Sequence, residues 1–302
     1  MIDPEKLNLT AKVFREILGT GGTGVNQSWW MFLFPALFGL FWFIPIALTL
    51  RNRPEDAGFK GFETGDEHIS AESLTMMQML KEVFLNPKHR VLMIVCLIEF
   101  CSGAIRNGSI HVFPKFAKNV GFRDDFWVTA NWGLVLLIAG VLGANATGWV
   151  SDKMFNSRRG PMALVLYALV MIGICMITFS LGANAPKNGS LVTGIGIFIV
   201  LACIIGVHGI LSGTASADFA GVKNTAKSVG IVDGAVYAGT SLQAFLMGMF
   251  IPIDDKTAAG KAILADPNNW LAWPVIILPF VVVGTILGMR IYHAYPNKSR
   301  SH

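Results

Sequence analysis

The chain has 302 residues, 53% of them hydrophobic and only 14% charged, with a mean hydropathy of +0.55 and a formal net charge of +5. Soluble domains carry about 25% charged residues, so an ordinary water-soluble globular protein is excluded. Charge-poor runs of about 20 residues recur, each able to cross a hydrocarbon core about 30 Å thick, and the alternating segments of a β-barrel do not occur.

The first 28 residues contain Glu5, Lys6, Lys12, Arg15 and Glu16, then a Gly-rich break at Gly19–Gly24. They form neither a signal peptide nor a span, and at most an interfacial amphipathic helix over Leu9–Leu18. Seven spans follow: Trp29–Leu50, Val91–Phe113, Phe126–Val150, Pro161–Leu181, Leu191–Gly213, Ser228–Ile251 and Trp270–Met289. The expected fold is an all-α polytopic membrane protein with seven transmembrane helices. Its layout is a non-spanning segment (1–28), one helix (29–50), a polar connector (51–90), a six-helix domain (91–290) and a tail (291–302).

The first span ends in Arg51-Asn-Arg53-Pro54, a positive stop followed by a helix breaker. Residues 55–72 are acidic and read as irregular. Leu74, Met77, Leu80, Val83 and Phe84 then recur at helical spacing, which predicts an amphipathic surface helix over Ala71–Leu85.

The second span carries Glu99, Ser102, Arg106 and Ser109 on one helical face. A charge at membrane depth costs roughly 2.5–3.5 kcal/mol on insertion scales, so it is expected to face a cavity or a partner. Small residues at four-residue intervals mark three other spans: Gly140, Ala144 and Gly148; Gly230, Gly234 and Ala238; Gly284 and Gly288. This spacing predicts close helix packing.

Lys and Arg are unevenly shared between alternate segments. Those after the first, third, fifth and seventh spans hold 14, and those on the opposite side hold 9. The positive-inside rule places the connector and the C-terminus in the cytoplasm of a cell-membrane protein, and topology rather than nucleic acid accounts for the net charge. Cys96, Cys101, Cys175 and Cys203 all lie in spans, with no metal or disulfide spacing. No phosphate loop, paired His/Glu metal motif or nucleophile elbow is present, so neither an enzyme nor a cofactor is expected.

The junction Gly148-Trp-Val-Ser-Asp152-Lys153-Met-Phe-Asn-Ser-Arg158-Arg159-Gly160 resembles the cytoplasmic loop motif of the major facilitator superfamily, in its copy between helices eight and nine. Arg51–Gly58 resembles the start of the central loop of the organophosphate:phosphate antiporters in that superfamily. Arg106-Asn-Gly-Ser-Ile-His-Val-Phe-Pro114 resembles their helix-seven segment, and Asp218–Gly239 their loop ten–eleven and helix eleven. The likeness is to helices six through twelve of a twelve-helix fold. It implies a fragment, a truncated product or half of a split transporter, with an N-terminal helical half as the missing partner.

The resemblance also implies roles. Glycerol-3-phosphate and hexose-phosphate transporters of this family clamp the substrate phosphate with an Arg from each half, and Arg106 falls on the helix-seven Arg. A planar guanidinium suits phosphate because it makes paired, charge-assisted hydrogen bonds. The competing reading is a structural ion pair with Glu99 or another helix. Tyr237 falls on a helix-eleven Tyr and is a candidate substrate contact, with Ser102. Asp233 lies one turn before Tyr237; a carboxylate there would repel phosphate, unless it pairs with Arg106 in the empty state. Glu99 and His208 are candidates for gating or coupling, against a packed, hydrogen-bonded His208. The implied activity is exchange of a phosphate ester for inorganic phosphate across the bilayer. The alternatives are an organic-carboxylate facilitator, or a non-transporting sugar-phosphate sensor or remnant of the same fold.

Overall fold

A computed structural model describes residues 30–51, 55–60, 73–122, 127–181, 189–220, 223–251 and 256–294. The expectations for residues 1–28, for 61–72 and for the end of the tail lie outside these. The chain divides into two units, 1–62 and 63–302. Seven helices are long and apolar enough to cross a membrane, and the described residues contain no strand.

The first unit contains α1 (Trp30–Thr49). It exposes apolar side chains all round, among them Phe32, Leu37, Phe41, Ile44 and Leu48. Such a helix has no water-compatible face and belongs in lipid.

In the second unit α2 (Met76–Leu85) begins five residues later than predicted, because Thr75 and Gln78 close a capping box. The Thr75 amide donates to Gln78 Oε1 at 2.8 Å, and the Gln78 amide to Thr75 Oγ1 at 3.3 Å. The buried face is Met79 and Val83, with Leu80 beside them, whereas Met77 and Phe84 of the predicted face point outward. Two bonds tie the helix to the far end of the unit. The Leu74 amide donates to Asn224 Oδ1 at 3.0 Å, and Lys227 Nζ donates to Ser73 Oγ at 2.8 Å.

Six spans follow: α3 (Arg90–Asn119), α4 (Trp132–Phe155), α5 (Arg159–Leu181), α6 (Gly189–His208), α7 (Thr225–Phe250) and, after a short α8 (Ala258–Ala265), α9 (Ala272–Arg290). Three spans depart from prediction. The third, expected over Phe126–Val150, starts six residues late and ends five late as α4, with a separate helical turn, Trp127–Ala130, ahead of it. Helix α3 continues through Pro114 to Asn119. At about 1.5 Å per residue it is some 45 Å long, more than the hydrocarbon core needs. The fifth span is not one α-helix: α6 stops at His208 and a π-helical segment, Gly209–Ala215, intervenes before a last turn over Ser216–Ala220. Glycines at 209 and 213 weaken α-helical propensity there.

Close packing is real, but most of it uses other glycines than those read from the sequence. A Cβ on Gly239 of α7 would overlap the Phe100 carbonyl oxygen of α3, and one on Gly103 would overlap the Val236 carbonyl. Gly143 of α4 meets the Ala202 carbonyl of α6, and Gly206 meets Thr147. By contrast a Cβ at Gly140, Gly148 or Gly234 meets nothing within 4 Å, and at Gly230 only the tip of Met76. Of the predicted stripes only the one on α9 packs, with Gly284 against the buried Tyr167 ring, whose hydroxyl donates to the Ile98 carbonyl at 2.8 Å, and Gly288 in ordinary contact with Leu164. Spacing alone does not say which face of a helix meets a neighbour.

The contrast is testable by thermal unfolding in detergent. Gly239→Val is expected to destabilise by about 1–3 kcal/mol, the usual range for overpacking. Gly140→Ala and Gly234→Ala are expected to stay within about 0.5 kcal/mol of the parent.

Candidate anion site and charged loop motif

Helix α3 brings the polar stripe into the six-helix unit, and the structure resolves its members into different environments. Glu99, Ser102 and Ser109 are fully buried, whereas Arg106 is half-buried. Glu99 Oε2 lies 2.9 Å from His208 Nδ1 at the end of α6. The competing reading, an ion pair between Glu99 and Arg106, is not what the structure forms. The two residues are separated by about 10 Å of helix rise, and Glu99 already has a partner on another helix.

Asp233 is engaged too: Ser212, inside the π-helical segment, donates to its Oδ1 at 2.5 Å. The alternative pairing of Asp233 with Arg106 is not formed, and the register of α3 against α7 keeps the two apart. Asn107 Nδ2 donates to Gln243 Oε1 at 2.8 Å, and Thr240 Oγ1 donates to the Gly103 carbonyl at 3.2 Å. Arg106 is thus level with the turn before Gln243. Asp233 lies ten residues down α7, about 15 Å along the axis.

Among the described residues Arg106 makes no hydrogen bond or ion pair. Tyr237 is exposed on α7, about 9 Å of rise below Gln243. Ser102 is enclosed, and its Oγ has no partner among the described residues, so it offers no surface to a solute. The stripe read on α3 thus splits into an interior part and one half-open cation. No group of three or more His, Cys, Asp or Glu among the described residues has the geometry to hold a metal.

The loop between α4 and α5 is a compact charged turn. Asn156 and Ser157 adopt left-handed φ values of 52° and 60°, ending α4 as Asn commonly does. Asp152 Oδ1 accepts from Ser157 Oγ at 2.9 Å and from Arg159 Nη1 at 3.0 Å. Arg159 also donates to Ser151 Oγ at 3.2 Å, and its Nε is 3.9 Å from Oδ2 of the largely buried Asp218. Arg158 Nε donates to the Phe155 carbonyl at 3.2 Å. Lys153 is exposed. Gly160 lets α5 start directly against the Ile291 carbonyl at the end of α9. Gly148 packs on nothing. Arg159 therefore ties α4 to α5 and to the segment before α7. The residue types and spacing of the motif were visible in the sequence, but the approach to Asp218 was not, because 59 positions separate the two.

Comparison with known proteins bears on these features. A family model described as Major Facilitator Superfamily matches residues 17–244. The chain is 25% identical over 245 residues to the glycerol-3-phosphate transporter of Bacillus subtilis (strain 168), covering 78% of this chain and 53% of that protein. It is 27% identical over 205 residues to the membrane sensor protein UhpC of Escherichia coli (strain K12), covering 64% and 44% respectively. UhpC of Salmonella typhimurium matches at 25% over 215 residues, 68% of this chain and 46% of the relative. The chain spans about half the length of the curated relatives it matches. No solved structure matches it.

The loop reading has a direct check in thermal stability. Arg159→Met is expected to lose about 1–3 kcal/mol by stripping charge-assisted hydrogen bonds from Asp152 and Ser151. Lys153→Met, three positions before the left-handed turn but exposed, is expected to change stability by under about 0.5 kcal/mol.

Proposed function

The chain belongs to the Major Facilitator Superfamily, a family of transporters and not of enzymes, and from that premise we propose that it supplies the second half of an organic-anion exchanger. In this reading α1 corresponds to helix six, and α3 through α9, the short α8 aside, to helices seven through twelve. The connector and the C-terminus face the cytoplasm, a placement the Lys and Arg distribution supports. A further helical half completes the solute path, and the two halves rock about a midplane site.

One observation carries the anion reading. Arg106 is a guanidinium in a span, half-buried and unpaired among the described residues, while the carboxylates of α3 and α7, Glu99 and Asp233, lie about 10 and 15 Å of helix rise away and are engaged by His208 and Ser212. A permanent intramembrane cation with no carboxylate beside it is set up to receive an anion from outside the bundle. Tyr237 on the adjacent helix offers a hydroxyl to the same solute. The glycerol-3-phosphate transporter among the relatives favours a phosphate ester, exchanged for inorganic phosphate. The two UhpC relatives, named as membrane sensor proteins, favour a second reading, in which the bundle binds its anion and signals without moving it.

Binding of radiolabelled inorganic phosphate and glycerol 3-phosphate to the reconstituted chain tests the site. Arg106→Lys is expected to weaken both by about tenfold, since Lys lacks the paired donors. Equal affinity in the variant would sink the clamp role, and displacement by dicarboxylates alone would turn the assignment to a carboxylate facilitator. Binding without counterflow, after co-expression with a five-helix half carrying its own intramembrane Arg, would select the sensor reading.

A further inference from the structure

The anion site uses neither Glu99 nor His208, yet they form the closest contact between ionisable groups in the six-helix unit among the described residues. We propose that they constitute a proton-binding site, in which His208 passes protons between the open side of the bundle and a carboxylate that solvent does not reach. The asymmetry of the pair supports this. The Glu99 side chain is 0% exposed and that of His208 is 27% exposed, with Nδ1 and Oε2 2.9 Å apart. Histidine is the side chain whose ordinary titration falls nearest neutrality.

The other carboxylate oxygen, Oε1, is buried without a hydrogen-bond partner among the described residues. An ionised carboxylate with one bare oxygen in a lipid-embedded interior is strongly disfavoured, and a proton on the pair relieves it. The His208 ring has one nitrogen on Glu99, and Nε2 makes no hydrogen bond among the described residues. The transfer is balanced and reversible. A proton taken up at Nε2 gives the imidazolium; its Nδ1 proton moves to Oε2; a neutral imidazole and a neutral carboxyl remain.

The surroundings leave this proton with few competitors. On α3 the ionisable neighbours are the Cys96 and Cys101 thiols, and Arg106 two turns away. On α5 Tyr167 faces the pair, with its hydroxyl committed to the Ile98 carbonyl. On α6 the only other ionisable side chain is Cys203, and on α7 Asp233 is held by Ser212. Residues 132–151 of α4 and 272–289 of α9 contain no ionisable side chain. The site lies about 10 Å of helix rise from Arg106, on the side toward α2. Coupling of proton uptake to anion exchange rests on the transporter reading; the proton site itself does not.

The experiment is an infrared pH titration of the 302-residue chain in lipid nanodiscs with no solute present. A protonated-carboxyl band is expected to grow on acidification and to be absent in Glu99→Gln. His208→Gln, which keeps a hydrogen-bonding side chain, is expected to retain the band but to slow its deuterium exchange by about tenfold, because the titrating relay is gone. Superposable titrations of the parent and Glu99→Gln overturn the proposal, as does an unchanged exchange rate in His208→Gln. If Glu99→Gln does not assemble, nitrogen-15 spectra of the parent decide. His208 ring shifts that move with the carboxyl band support the site, and a ring titrating like a solvated imidazole overturns it. Loss of phosphate binding at Arg106 would leave every one of these outcomes intact.

Discussion

Inside a bilayer no water is available to satisfy a polar group, so each must find its partner within the protein. The organisation of the six-helix unit follows from that constraint. Backbone groups are satisfied by long helices, and hydroxyls such as Thr178, Thr193 and Thr285 fold back onto carbonyls of their own helix. Ionisable side chains are matched across helices: Glu99 with His208, Asp233 with Ser212, and Asp152 with Arg159. Against that background an unmatched Arg106 stands out, and its want of a partner locates the candidate solute site better than its charge does.

The same constraint explains how the helices are held. Between helices in lipid the hydrophobic effect gives little, and close van der Waals approach takes over. The α3–α7 pair is built this way: carbonyl groups of Phe100 and Val236 sit where a side chain would otherwise stand, and Thr240 and Gln243 add hydrogen bonds along the seam. The α4–α6 pair repeats the device with Gly143 and Gly206. Around the C-terminal end of α3, Phe113, Phe116, Trp132, Trp270 and Trp273 pack ring against ring, and Trp270 Nε1 donates to the Leu264 carbonyl.

Much of the fold was legible from runs of apolar residues, because crossing a membrane imposes a length that sequence displays directly. The charged turn after α4 was legible too, since its residues are adjacent in the chain. What pairs with what across helices was not. Glu99 and His208 lie in two spans 109 positions apart, and nothing in either span names the other. Two of the glycine stripes misled for a related reason: a Cβ on Gly140 or Gly234 would meet nothing within 4 Å, whereas Gly143 and Gly239, on the same helices, face a neighbouring backbone. Ser102, grouped with Arg106 by periodicity, is sealed inside because a stripe about 80° wide can straddle the border between a packed interface and an open one.

The backbone contact between α3 and α7 also limits how the bundle can move. Glycines 103 and 239 work only in the present register. One turn along, the residues that would replace them are Glu99 or Asn107 on α3 and Ala235 or Gln243 on α7, and each brings a side chain into a gap sized for none. Sliding of one helix past the other therefore has no second resting place. The two helices form a keyed shaft, so any rearrangement that carries Arg106 toward one face of the membrane must carry Tyr237 with it as a single rigid element.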